Sequence, residues 1–176
     1  MRFALSGIFV SLLALAMPAV AQSTVRSSSA DRQRFVLITT NLEKAPLDPR
    51  LRADRQWAMQ WLTEAPDVSV NACLTPLAGM SQKTYSHGVE IIAQYVFSMA
   101  TLIIQHPQTG NNPEAQQVAG VEGALNAYRS ILKSDPADRS AALDKLLSLQ
   151  SRGELRGFVR KALPSCSGDG GEVHLP

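Results

Sequence analysis

Residues 83–105 read KTYSHGVEIIAQYVFSMATLIIQ, and this stretch decides the fold. No proline interrupts it, and apolar side chains from Val89 to Ile104 cover most of the girth a helix would have. A helix that is apolar nearly all round is a central one. Its polar residues keep to one side. Glu90, Gln94, Ser98, Thr101 and Gln105 recur at steps of four, four, three and four. At about 100° per residue they fall within a wedge of roughly 80°. Such a wedge either faces water or polar groups on a neighbouring helix, or it lines a ligand cleft between helices.

Outward from this third helix the helical period continues. Downstream, His106-Pro107 ends the run, Gln108 to Asn112 is a polar loop, and Asn112-Pro113 opens a fourth helix. An N-cap side chain followed by proline at the first helical position is a strong start signal. Val118, Val121, Leu125, Tyr128, Ile131 and Leu132 make its apolar stripe. Asp135-Pro136 separates a fifth helix with Ala142, Leu143, Leu146 and Leu149. Gly153 punctuates, and a short sixth helix carries Leu155, Phe158, Val159 and Leu163. Upstream, a first helix is expected over Asp31 to Lys44, with Phe35, Ile38 and Leu42 inward. Asp48-Pro49 starts a second, which runs to about Glu64 with Leu51, Ala58, Trp61 and Leu62 inward. Trp57 and Trp61 lie one turn apart, Trp57 nearer the edge. Between them and the third helix, Ala65 to Gly79 holds two prolines and is expected to be irregular. Its Val68-Ser-Val70 alternation suggests a strand fragment without a visible partner.

Part of this pattern resembles a known family. From Ala127-Tyr128 to Leu163 the chain resembles a tetratricopeptide-type hairpin. Gly153 follows Asp135-Pro136 at the inter-helix interval, with small Ala141 and Ala142 beside Leu143 between them. Phe158 and Ala162 depart from that pattern, the match covers under a quarter of the chain, and no second copy follows. The resemblance implies a helical hairpin, and the family is not assigned.

Composition agrees with a single all-α domain of about six helices. Of 176 residues, 45% are hydrophobic and 18% charged, and the net charge of +2 is too small to bind nucleic acid by bulk field. Basic ends flank a mildly acidic, apolar middle, as if the other helices wrapped the third. The helical domain is expected over 31–166, preceded by a polar, disordered leader at 22–30 and followed by a loose tail at 167–176.

The first 21 residues read as a secretory signal. Arg2 supplies a positive start, Phe3 to Ala16 is an apolar run, and Ala19-Val20-Ala21 offers small residues at a cleavage site between Ala21 and Gln22. The apolar run is shorter than the roughly 20 residues a bilayer core requires. Export to the periplasm or beyond, with no membrane anchor after cleavage, is the expectation. In an oxidising compartment the only two cysteines, Cys73 and Cys166, read as a disulfide.

Catalytic motifs are wanting. No Gly-x-Ser-x-Gly elbow, phosphate-cradling loop or His-Glu-x-x-His occurs. His87 and Glu90 are three apart, yet one such pair is short of the three or more protein ligands of a metal site. No metal, cofactor or catalytic residue is assigned. Two surfaces remain. The stripe Arg152, Arg156 and Arg160 repeats every four residues, and with Trp57 it forms a candidate partner surface. The leading expectation is an exported binding protein whose partner is a protein or another envelope component. The alternative is a small-ligand carrier or enzyme that uses the wedge of Glu90, Gln94, Ser98, Thr101 and Gln105.

Overall fold

A computed structural model describes residues 27–77, 80, 83–166 and 172–174. The signal segment and residues 22–26 lie outside them. The described chain runs α1 (Ser29–Lys44), α2 (Arg52–Glu64), β1 (Asn71–Cys73), α3 (Gly88–Gln105), α4 (Pro113–Ser134), α5 (Ala141–Ser151), α6 (Leu155–Ala162) and β2 (Glu172–His174). It forms one helical domain.

Local chemistry sets most of these boundaries. The Ser28 hydroxyl accepts from Asp31 N and caps α1, so Ser28 to Ala30, read from sequence as leader, belong to the helical domain. Asp48 accepts from Arg50 N at 2.9 Å and opens a 3-10 turn, Pro49–Leu51, which leads into α2. Asn112 Oδ1 accepts from Ala115 N and caps α4 with Pro113 inside the first turn. At the end of α5, Gly153 has φ 71°. Its N–H bonds Gln150 O, while Glu154 N–H bonds Leu149 O, closing a Schellman turn that points the chain into α6.

α3 is the centre. It packs along α4 and is flanked by α1 and α2. Ile91, Tyr95, Phe97, Met99 and Ala100 are buried on it, against Phe35 and Leu42 of α1, Leu62 of α2 and the Val121–Leu125–Tyr128 stripe of α4. Its approach to α4 is close because α4 presents glycines there. A Cβ at Gly120 would stand 2.6 Å from the Tyr95 ring, and one at Gly123 would stand 1.9 Å from Ser98 Oγ.

The start of α3 differs from the sequence expectation. The helix begins at Gly88, not near Lys83. Tyr85, Ser86 and His87 instead converge on Asp138 in the α4–α5 connection. The Tyr85 hydroxyl donates to Asp138 O at 3.2 Å, Ser86 Oγ to Asp138 Oδ1 at 3.3 Å, and His87 Nε2 lies 2.6 Å from Asp138 Oδ2. Three consecutive helical residues would sweep about 200° and could not face one residue together. The tertiary cluster wins over the helical pattern.

A second difference lies in the tail. Of the segment expected to be loose, Glu172–His174 pairs antiparallel with Asn71–Cys73, Ala72 opposite Val173. The strand lies just past the Val68–Val70 alternation, and its partner is about a hundred residues downstream. The cysteines hold this end together. The Cys73 and Cys166 sulfurs are 2.07 Å apart with their Cα atoms at 5.6 Å, a disulfide.

The other side of β1 is tied to the helices by side chains. Gln117 Nε2 donates to Asn71 O at 2.8 Å. The single hydroxyl hydrogen of buried Tyr95 faces two acceptors, Cys73 O at 2.6 Å and Gln117 Oε1. Burial raises the pKa of that phenol, so it stays a donor throughout the ordinary pH range. Tyr95→Phe strands both carbonyl oxygens in the core, and it should cost about 1–2 kcal/mol of stability on a urea melt. A melt that matches wild type would show that the hydroxyl contributes nothing to anchoring β1.

Candidate functional site

The polar wedge of α3 is turned mainly toward neighbouring helices. Gln94 is 2% exposed, and its amide donates to Thr39 O of α1 at 3.3 Å and to Ser98 Oγ at 3.2 Å. Ser98 in turn abuts Gly123 of α4. Thr101 Oγ1 is buried and has no hydrogen-bond partner among the described residues. Glu90 is half-buried, and only Gln105 of the five is exposed. Gln94 and Ser98 thus fill the α1–α3–α4 junction, while Gln105 emerges on the surface.

Where Gln105 emerges, α1 and the end of α3 enclose a groove of about 360 Å³. Its walls are Val36, Leu37 and Thr40 from α1 and Ile104 and Gln105 from α3, and almost all of its lining is apolar. Leu37 is 60% exposed. At one end the groove meets the ion pair between Arg32 and Asp67, which also borders a smaller recess of about 180 Å³. Sequence reasoning missed this groove, although a signal was present. Phe35-Val36-Leu37-Ile38 is four apolar residues in a row, and on a helix they sweep about 300°. Phe35 and Ile38 take the core, so Val36 and Leu37 must look outward.

Trp57 and Trp61 continue an aromatic ladder that rises from the core. Phe97 meets Phe35 edge-on at 5.5 Å, Phe35 meets Trp61 at 4.9 Å, and Trp61 stacks on Trp57 at 6.0 Å. The Arg34 guanidinium sits 3.9 Å over the Trp57 ring. Trp57 is therefore half-buried, with one face on Trp61 and a cation on its ring.

Arg152, Arg156 and Arg160 are all exposed, but they do not share a helix: Arg152 caps the end of α5, and only Arg156 and Arg160 lie on α6. Arg152 pairs with Glu154 at 3.0 Å. The other two turn to the start of α4. Arg160 forks onto Glu114 with contacts of 2.7 and 2.9 Å, and Arg156 NH1 reaches the same carboxylate from 3.7 Å. The hydrogen bond from Arg160 lowers the Glu114 pKa, with both guanidinium charges adding to it. These residues border an open groove of about 730 Å³ between α6 and the α3–α4 connection.

The remaining polar clusters are internal ties. His87, weighed from sequence beside Glu90, is instead paired with Asp138. The Tyr128 hydroxyl donates to Asp144 at 2.9 Å and accepts from Ser140 N at 2.8 Å, bracing the α4–α5 turn. Asn126 bridges Glu43 of α1 and Arg129 of α4. Burial raises the Glu43 pKa, against the lowering effect of the Asn126 bond.

No protein-family model, curated protein or solved structure matches this chain at a significant level.

Proposed function

We propose that this chain is an exported binding protein of the periplasm or cell envelope, and that it engages a protein or another envelope component through the α1–α3 face. One observation carries the choice of face: the apolar groove of Val36, Leu37 and Ile104 beside an exposed Leu37. A lone exposed leucine means little. A concave apolar site on a charged, soluble domain is the kind of surface that partners cover. Export is supported by the signal-like first 21 residues and by the cysteine pair, which an oxidising compartment would keep joined.

Leu37→Glu tests the reading. The position is exposed, so the substitution should change stability by no more than about 0.5 kcal/mol. A photo-crosslinker placed at position 37 of the exported protein should give a discrete adduct in native envelopes, and Leu37→Glu should abolish co-purification of the same species. A crosslinker at exposed Lys133, away from the groove, should give none. Retention of that species by Leu37→Glu, or the same adduct from position 133, would remove this face as the binding surface.

A further inference from the structure

A second site, chemically unlike the apolar groove, lies between α6 and the α3–α4 connection. Its cationic wall is Arg156 and Arg160, and both lean on the single carboxylate of Glu114. Two guanidiniums against one carboxylate leave one positive charge in surplus. Arg160 is held by a two-pronged contact, while Arg156 touches Glu114 only at 3.7 Å. A guanidinium has five donors and no acceptor, so most of those on Arg156 stand open to the groove. The facing wall is polar, with His106 beside the uncharged side chains of Gln108, Thr109 and Asn112. Gln108 and Thr109 make no side-chain hydrogen bond to the described residues, and Asn112 spends only its oxygen, on Ala115 N. Leu102 and Ala115 add a small apolar floor.

Each part of this lining selects for something. A free guanidinium favours a planar oxyanion bound through two parallel hydrogen bonds. One surplus charge suits a monoanion. A phosphate monoester carries about −1.5 to −2 at neutral pH and would crowd its second charge against Glu114. Amide and hydroxyl groups opposite the arginines, each able to donate and accept, suit a ligand rich in hydroxyls. The apolar floor suits the C–H face of a ring. We propose that this groove binds a carboxylate-bearing saccharide of the uronate type, with the carboxylate on Arg156 and the sugar hydroxyls on Gln108, Thr109 and Asn112. Arg160 and Glu114 position the cationic wall. The volume of about 730 Å³ lies within the range of ordinary ligand sites. This proposal does not depend on the α1–α3 face and stands or falls separately.

The test is a heteronuclear NMR titration of the folded chain with galacturonate (a monoanion), its neutral methyl ester and inorganic phosphate. Galacturonate should shift backbone signals from Gln108 to Ala115 and around Arg156, and the methyl ester should leave them in place. Arg156→Ala should weaken galacturonate about tenfold, the loss expected from one charge-assisted contact. Arg152→Ala removes an exposed arginine at the end of α5, outside the groove, and should bind as wild type does. Thermal melts of both variants check that the fold is intact, as the exposure of both side chains leads one to expect. Several results would overturn the proposal. Absence of shifts with galacturonate removes the site. Equal shifts with phosphate reduce it to a generic anion patch. Equal weakening by Arg152→Ala means that a diffuse cationic surface is at work. In that last case vesicles containing phosphatidylglycerol should pellet wild type and lose both variants alike.

Discussion

Reducing the Cys73–Cys166 bridge lowers the unfolding free energy by about 4–5 kcal/mol, the largest single effect expected in this chain. The bridge joins residues 93 apart in sequence, and long loops gain most in the chain-entropy account because the unfolded chain loses more freedom. Its position adds a structural reason. Cys73 is buried at the end of β1, and Cys166 ends the turn that follows α6. Without the bridge, α6 keeps Leu155 and Val159 in the core, but the chain after it is no longer tethered beside β1. Domains of this size have only about 5–15 kcal/mol of stability, so the reduced protein should melt far below the oxidised one. Intact mass with and without reductant, on protein from an oxidising compartment, establishes the bond. Urea melts of oxidised protein and of a Cys73→Ala/Cys166→Ala double variant measure its worth. Two freely alkylated thiols before reduction, or superimposable melts, would defeat the expectation.

Gly123→Ala should destabilise the fold by about 2–3 kcal/mol, although the same change stabilises an isolated helix by about 1 kcal/mol. The sign is decided by α3. The new Cβ would stand 1.9 Å from Ser98 Oγ and 2.6 Å from Ser98 Cβ. Rotating the Ser98 hydroxyl away relieves the first contact and leaves the second, so the two helices must part. Ser98→Gly removes the obstructing atoms. The double variant should therefore lose little more than Ser98→Gly alone, a coupling of the size seen between residues in contact. A four-member urea-melt cycle reads this directly. If Gly123→Ala raised stability in the wild-type background, the close α3–α4 approach would be wrong.

Much of the fold was legible because it is written locally. Asp48-Pro49, Asn112-Pro113, Asp135-Pro136 and His106-Pro107 mark helix ends, since caps and the missing proline N–H act within one turn of the chain. Gly153 marks the α5–α6 turn for the same reason, and its positive φ agrees. The stripe of α4 repeats with the helical period, and all of it except Leu132 is buried. The cysteine pairing followed from there being only two.

The sequence by itself thus determined an all-helical domain with a central apolar third helix and one bridge. What that helix's polar wedge faces, only the tertiary structure decided. Gln94 and Thr101 have the same spacing whether they meet water, a ligand or α1 and α4, because periodicity states which residues share a face and not what lies opposite. Tyr85, Ser86 and His87 carry a helical pattern that Asp138, some fifty residues away, overrides. β1 and β2 are three residues each, too short for any alternation to announce a pairing made across a hundred residues. The two grooves belong to the same class. Arg160 meets Glu114 from 46 residues away, and Leu37 lies beside Ile104 from the far side of α2. Such neighbours are chosen by how the helices share out burial, a quantity that no local stretch of chain contains.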